Sequence, residues 1–183
     1  MEKVKILGIS GSVRKGSYNT AVINYISENH AENIEFEILD ITKLPMFNQD
    51  LEQNVPDEVK KFIEKIAEAD GFIISTPEYN YSLPALLKNA LDWGSRGEKK
   101  GFNNKYVGII SASPSMLGGS RVQYHLRQIC VCLNLIPVNK PEIFIAQANE
   151  KIDENGNIND EVTKKMITDL VTEVVYHIKK DIH

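Results

Sequence analysis

Apolar runs and amphipathic stretches alternate along the chain, and each alternation predicts a strand followed by a helix. Four short segments are almost continuously apolar or alternate with period two, which is typical of strands in a buried sheet. They are Val4 to Ser10, Ile34 to Ile38, Gly71 to Thr76 and Tyr106 to Ala112. A fifth strand, broken in the middle, is predicted between Pro137 and Ile145.

Apolar residues at helical spacing lie between these strands. Helices are predicted from about Tyr18 to Asn29, from Pro56 to Ala67, from Pro84 to Trp93, from Ser120 to Leu133 and over a last stretch from Val162 to Ile178. This alternation predicts a parallel sheet with helices on both faces. Five strands favour the flavodoxin-like order over the six-stranded dinucleotide fold. The predicted fold class is therefore a flavodoxin-like α/β three-layer sandwich, formed as one domain by residues 1–183.

Composition and charge narrow the range of partners. The chain has 183 residues, of which 42% are hydrophobic and 25% charged, an ordinary balance for a globular protein. A net charge of −4 argues against nucleic acid as a partner, because non-specific binding to phosphates needs a basic face. The sequence contains no apolar run of the ~20 residues that cross a bilayer, which predicts no membrane partner and a cytoplasmic protein. Cys130 and Cys132 are predicted to be buried structural thiols.

Three polar loops follow predicted strands, at Ser10 to Thr20, Pro77 to Pro84 and Ser111 to Arg121. The carboxyl ends of parallel strands meet at one edge of a sheet, and ligands bind there at the point where the strand order reverses. The fold therefore predicts that these distant segments form one site.

The first loop has the chemistry of a phosphate site. Gly11 and Gly16 have the spacing of a nucleotide triphosphate loop, but Ser17 replaces the lysine that contacts the β- and γ-phosphates. Backbone N–H groups, hydroxyls and the positive end of a helix dipole suit a single terminal phosphate without a metal. The candidate ligands are Ser10, Ser12, Arg14, Ser17, Asn19 and Thr20. The alternative is a polar turn in which one of these side chains caps the helix.

The other two loops offer a surface for a planar group. Thr76 to Pro84 contains two stiffening prolines and two tyrosines, a segment that can lay its N–H groups along the edge of a heterocycle. The alternative is a rigid turn that packs on a neighbouring subunit. Ser111 to Arg121 supplies hydroxyls and the pair Gly118–Gly119, where backbone can approach a ligand closely.

These segments resemble the NAD(P)H-dependent FMN reductase family, whose members fold like flavodoxin and include flavin, quinone, azo-dye and chromate reductases. The resemblance rests on Gly8 to Asn19, on Pro77 to Ser82 followed by Lys88 to Trp93, and on Gly118 to Gln128. It covers about the first 145 residues. In one departure, Gly97 stands where the family pattern has proline. That departure predicts a looser loop from Gly94 to Lys105, which is a candidate gate for the substrate.

The resemblance implies FMN as bound cofactor and NAD(P)H as co-substrate. The six polar residues of the first loop then hold the FMN phosphate. Pro77, Glu78, Tyr79 and Asn80 border the isoalloxazine, largely through backbone groups, and Ser113 and Gly118 close its pyrimidine side. The implied enzyme passes hydride through FMN to a flavin, quinone, azo compound or chromate by ping-pong kinetics, with no catalytic side chain. Two alternatives are an electron-carrier flavodoxin and a flavin-binding regulatory module without turnover.

One predicted helix has more apolar surface than a single face of the sheet can cover. The helix from Leu83 to Trp93 is apolar over most of its circumference, which predicts burial against a second subunit in a homodimer, with a tetramer as the alternative. Arg121 and Tyr124 are expected to face that neighbour, where Arg121 can meet Glu142.

Asp153 to Asp160 lacks the glycine and glutamate of a calcium loop. His30, His125, His177 and His183 lack metal-ligand spacing, so no metal is expected.

Overall fold

A computed structural model describes residues 3–30, 32 and 34–182 of the chain. The strands are β1 (Val4–Ser10), β2 (Ile34–Ile38), β3 (Gly71–Thr76), β4 (Tyr106–Ala112), β5 (Ile136–Pro137) and β6 (Ile143–Ile145). The helices are α1 (Tyr18–His30), α2 (Asp57–Glu68), α3 (Ala85–Gly94), α4 (Ser120–Leu133), α5 (Ala148–Lys151) and α6 (Glu161–Ile182), with a 3-10 helix at Gln49–Gln53. Only the 3-10 helix and α5 were not predicted from the sequence pattern.

The strands form a parallel sheet in the order β2-β1-β3-β4-β5. The first residues of β4 pair with β5, and its last residues pair with β6. The flavodoxin-like order is thereby confirmed. The broken fifth strand is also confirmed, because β5 and β6 both pair with β4 at opposite ends. Pro137 and Pro141 occur in this stretch, and proline has no N–H to give to a ladder. The strand order reverses between β1 and β3, which places the switch point at their carboxyl ends.

Each face of the sheet carries its own apolar core. Side chains from α1 and α6 pack on one face with Ile6 of β1, and side chains from α2, α3 and α4 pack on the other with Leu7. Neighbouring residues of a strand point to opposite faces, so a sheet covered on both sides needs nearly continuous apolar strands. Every residue of β3 is buried accordingly. Among the described residues, no helix combines the length and apolar character that spanning a membrane requires.

The two cysteines differ in exposure. Cys130 is buried, and burial raises the pKa of its thiol to about 12, whereas Cys132 is exposed. The prediction of two buried thiols was therefore wrong for Cys132. Both residues lie on α4, and two residues along a helix correspond to a rotation of about 200°. One side chain consequently faces the sheet and the other faces solvent.

The loop from Gly94 to Lys105 lies at the amino ends of the strands, opposite the edge where the three polar loops meet, because it leads directly into β4. Phe102 is buried, and its ring lies 5.2 Å from that of Phe72. Gly97 has a φ of +92°, which proline cannot adopt. The prediction of a loose gate was therefore wrong for the cleft of this chain: the loop lies at the far edge of the sheet, where Gly97 serves a left-handed turn and buried Phe102 anchors the segment.

Candidate functional site

A cleft of about 340 Å³ lies at the carboxyl ends of β1, β3 and β4. It is bounded by all three polar loops, which are far apart in the sequence and meet here because the sheet is parallel. The residues that line it are Ser12, Arg14, Ser17, Tyr18, Asn19, Pro77, Glu78, Tyr79, Ala112, Ser113 and Pro114. Its volume is in the range of small-molecule and cofactor sites.

The first loop forms one end of the cleft and leads into α1. Ser17 caps the helix, since its hydroxyl accepts a hydrogen bond from Thr20 N at 3.4 Å. Gly16 has a φ of +71° with open space around it, so the turn needs glycine for its backbone conformation. Arg14 is exposed, and its guanidinium lies 5.2 Å from the centre of the Tyr18 ring. A permanent cation and the positive end of a helix dipole therefore share this end of the cleft.

Asn19 is buried beneath this end of the cleft, with 2% of its surface exposed. Its Oδ1 accepts hydrogen bonds from the Ser75 hydroxyl and from Ala112 N, both at 3.0 Å, and its Nδ2 donates to Ala112 O at 3.0 Å. The side chain thus joins the start of α1 to β3 and β4. Its amide is engaged by the protein itself.

The second loop is a tight hairpin. Tyr79 and Ser82 exchange two backbone hydrogen bonds of 3.0 and 2.9 Å, and the two residues between them have positive φ, +50° at Asn80 and +66° at Tyr81. This is the geometry of a type I′ turn, which asparagine tolerates and tyrosine adopts only at a cost. Such local strain persists only where the surroundings hold it. The loop is consequently fixed in shape at the mouth of the cleft.

Glu78 attaches this hairpin to α4. One carboxylate oxygen accepts from Arg121 Nε at 2.7 Å, and the other accepts from Val122 N, at the start of the helix, at 3.2 Å. The Glu78 side chain is 8% exposed, although it lines the cleft. The sequence predicted that Arg121 faces a neighbouring subunit and can meet Glu142 there. In this chain Arg121 pairs with Glu78, and Glu142 pairs with Lys140.

The third loop forms the far wall. Ser113 is held in place by backbone hydrogen bonds to Ile145 and Ala148, and its hydroxyl donates to Ser115 Oγ at 3.1 Å. Gly118 is buried behind this wall with a φ of +56°, and a Cβ there would come within 2.8 Å of Ala146 N. The glycine is thus required for packing of the loop against the segment after β6.

The structure brings together most of the predicted site residues. Eight of them line the cleft: Ser12, Arg14, Ser17, Asn19, Pro77, Glu78, Tyr79 and Ser113. Ser10, Thr20, Asn80 and Gly118 do not line it. The hydroxyls of Ser10 and Thr20 bond to each other at 2.8 Å, and Asn80 forms part of the hairpin tip. Sequence reasoning missed Tyr18, Ala112 and Pro114, of which Tyr18 alone gave a signal, as an aromatic residue at a helix start beside the phosphate loop.

The described part of the chain contains no side-chain cluster suited to binding a metal ion. Within residues 3–30, 32 and 34–182, no group of three or more His, Cys, Asp or Glu side chains is arranged to hold an ion. His183 lies outside the described residues.

The shape and donors of the cleft fit FMN. Arg14, the hydroxyls of Ser12 and Ser17 and the start of α1 offer an anion-binding end for a phosphate. Pro77 to Tyr79 and Ala112 to Pro114 form two walls between which a flat ring system can lie. When bound, FMN supplies the hydride-accepting and hydride-donating chemistry, and the protein supplies binding, orientation and electrostatics.

Comparison with known proteins agrees with this geometry. The family described as NADPH-dependent FMN reductase matches residues 4–150. An NAD(P)H-dependent FMN reductase of Pseudomonas aeruginosa is 40% identical over 91% of this chain and 90% of its own length. A quinone reductase of Escherichia coli K12 is 38% identical over 93% of both chains.

A solved structure gives the same result in three dimensions. The flavoenzyme NAD(P)H:(acceptor) oxidoreductase FerB of Paracoccus denitrificans superposes with a TM-score of 0.84 at 31% identity, over 97% of this chain and 98% of its own. An azoreductase of Bacillus anthracis, at 16% identity and a TM-score of 0.58, shares the fold.

Proposed function

The chain belongs to the NADPH-dependent FMN reductase family and is an NAD(P)H-dependent, FMN-containing oxidoreductase, and we propose that its physiological acceptor is a quinone. The observation that carries the proposal is the cleft, which joins an anion-binding end to a slot for a planar group. Relatives named quinone reductase support it, among them the Escherichia coli protein and a 2-hydroxy-1,4-benzoquinone reductase of Burkholderia at 38% identity. Free flavin, azo compounds and chromate are the other acceptors to compare.

Within the site, we assign the phosphate of FMN to Ser12, Arg14, Ser17 and the first N–H groups of α1. Ser10 and Thr20 support the loop from behind through their mutual hydrogen bond. The backbone of Pro77 to Asn80 borders the isoalloxazine, and Ser113 closes the pyrimidine side, with Gly118 fixing the loop that carries it. We assign Asn19 a supporting role through α1, because three hydrogen bonds of its amide go to β3 and β4.

A single open cleft supports alternation of the two substrates. NAD(P)H binds beside the ring-binding walls, leaves after oxidation, and is replaced by the acceptor at the same place. The exposed cation Lys15 favours an anionic nicotinamide nucleotide at this edge, where Arg14 is assigned to the FMN phosphate. The cation Arg96 does not contribute here, because it does not line the cleft: its guanidinium lies 4.6 Å from the centre of the Phe47 ring, and it pairs with Glu52.

The proposal is tested with protein reconstituted with FMN. We expect about one FMN per chain, NADPH oxidation that depends on menadione or benzoquinone, and parallel double-reciprocal lines when both substrates are varied. Intersecting lines contradict the shared site. FMN binding without NAD(P)H oxidation by any quinone, azo dye or flavin instead favours the electron-carrier or regulatory alternatives.

The phosphate assignment has its own test. The variant Arg14→Ala/Ser17→Ala loses the cation and the helix cap beside the phosphate, so we expect FMN affinity to fall by ten-fold or more. Lys61→Ala removes an exposed cation from α2 and is the matched control. Unchanged FMN affinity in the double variant contradicts the assignment.

We also propose a homodimer, paired through α3, α4 and the hairpin between β3 and α3. The apolar side chains of α3 support it less than the sequence indicated, since Leu87, Leu91 and Trp93 are buried within this chain. The support comes from two exposed aromatic side chains, Tyr81 at the tip of the hairpin and Tyr124 on α4, which are 68% and 61% exposed. Sedimentation of the FMN-loaded protein at micromolar concentration tests it. A fully active monomer contradicts the dimer, and a larger species indicates pairing of dimers into a tetramer.

Two broader assignments complete the proposal. Residues 1–183 act as one domain, because α6 packs along the same sheet that carries the site. A cytoplasmic location is supported by consumption of NAD(P)H and by free Cys130 and Cys132, which suit a reducing compartment.

A further inference from the structure

The Glu78 carboxylate is the one acidic group that lines the cleft, among the described residues. It is 8% exposed, whereas its partner Arg121 is 43% exposed. Both carboxylate oxygens have donors, Arg121 Nε at 2.7 Å and Val122 N at 3.2 Å. A carboxylate at the N-terminus of α4 is also favoured by the helix dipole. Hydrogen bonds, an ion pair and the helix dipole therefore stabilise this carboxylate, although it lines a cleft assigned to an anionic cofactor.

The partner Arg121 has a second contact, which holds the hairpin in shape. Its guanidinium carbon lies 3.7 Å from the centre of the Tyr81 ring, and Tyr81 is the residue with the unfavourable φ of +66°. A cation over an aromatic face is attractive. One arginine thus contacts both the base of the hairpin at Glu78 and its tip at Tyr81.

Charge next to the ring slot has a consequence for redox chemistry. Reduction adds electrons to bound FMN, so a neighbouring carboxylate disfavours the reduced form and a neighbouring guanidinium favours it. In a partly buried site these effects are screened less than in water. Glu78 and Arg121 therefore act on the flavin with opposite signs, and while they are paired each offsets part of the effect of the other.

We propose that the Glu78–Arg121 ion pair is a positioning pair that fixes the ring-binding hairpin on α4 and balances the charge beside the flavin, and so sets its reduction potential. The proposal rests on the FMN site assigned above. In a purely structural role, breaking the pair at Glu78 or at Arg121 disturbs the hairpin in the same way and shifts the potential in the same direction. In the proposed role, the two substitutions shift the potential in opposite directions.

The test uses Glu78→Gln, Arg121→Met and the double variant, each loaded with FMN and titrated spectrophotometrically against a reference dye. Glutamine can still accept from Val122 N, so Glu78→Gln removes the charge and keeps that contact. We expect the potential to rise in Glu78→Gln, to fall in Arg121→Met, and to return close to the original value in the double variant. The expected change is about ten-fold in the ratio of affinities for oxidised and reduced FMN, which for a two-electron couple is about 30 mV.

Arg121→Met leaves a buried carboxylate without its partner and is the variant most exposed to misfolding. Glu78→Gln and the double variant contain no such charge, so their comparison decides the question even if Arg121→Met does not fold. Glu37→Gln and Lys65→Met break an ion pair between β2 and α2 and serve as matched controls without effect on the potential. Potentials that stay constant, or that shift in the same direction in both single variants, overturn the inference. Failure of the unmodified protein to bind FMN refutes the proposed function instead.

Discussion

The amide of Asn19 gives the most direct test of how the fold positions the phosphate loop. Asn19→Ala removes hydrogen bonds to the Ser75 hydroxyl, to Ala112 N and to Ala112 O, all of 3.0 Å and all buried. Each is a contact between α1 and the carboxyl ends of β3 or β4. The substitution therefore removes the polar contacts of α1 with the sheet at the point where the first loop ends.

The expected cost follows from these three bonds. A neutral hydrogen bond contributes about 1 kcal/mol net, which gives about 3 kcal/mol for the set. Alanine is a better helix former than asparagine, by about 0.5 kcal/mol. Asn19 also lines the cleft, so water can reach part of the vacated space and replace part of the loss. We therefore expect the free energy of unfolding to fall by about 2–3 kcal/mol.

The assay is urea unfolding of the FMN-free protein, so that loss of ligand binding does not contribute. With a slope of about 2 kcal/mol/M, the midpoint should fall by about 1 M. Asn24→Ala makes the same substitution on the exposed side of α1 and should change the midpoint little, or raise it slightly. A loss below about 0.5 kcal/mol in Asn19→Ala would contradict the anchoring role of Asn19.

Three further outcomes follow from particular residues. Gly118→Ala should lower the free energy of unfolding by about 2 kcal/mol or more, because the added Cβ would lie 2.8 Å from backbone atoms. Gly16→Ala should cost only about 1 kcal/mol in the same urea assay, because Gly16 has a positive φ but open space around it. Burial lowers the pKa of His30 below its ordinary 6.5, so the unfolded chain binds a proton at this residue more readily than the folded chain. The contribution of His30 to the free energy of unfolding should therefore be full above pH 6.5 and fall as the pH drops below it, and His30→Phe should remove that part of the pH dependence. Iodoacetamide should label Cys132 at neutral pH and leave Cys130 unmodified until the protein unfolds, and equal labelling of both in the native state would contradict their placement.

The sequence predicted the layout of the site because that layout depends on strand order alone. Once the apolar runs are read as parallel strands, the loops after β1, β3 and β4 must meet at one edge of the sheet. The same rule could have corrected the loop from Gly94 to Lys105. That loop precedes β4, so it lies at the opposite edge and cannot cover the cleft.

What the sequence could not show is which polar side chains serve the fold and which face the ligand. Asn19 and Arg14 look alike as members of one polar loop, but Asn19 is 2% exposed and its amide makes three hydrogen bonds to β3 and β4, whereas Arg14 is exposed. The difference depends on where α1 packs on the sheet, and no local pattern records it. Arg121 shows the same limit, since its partner Glu78 is 43 positions away.

Asn19 and Glu78 solve a common problem at opposite ends of the cleft. A loop that binds a cofactor through backbone groups must hold its shape without the cofactor, because free loops lose conformational entropy on binding. At one end a buried amide ties the phosphate loop to β3 and β4, and at the other a buried carboxylate ties the ring hairpin to α4. The amide is neutral, whereas the carboxylate carries charge into the site and needs Arg121 to balance it. In the proposed site, the ring end therefore couples the shape of the loop to the potential of the flavin, whereas the anchor at the phosphate end adds no charge.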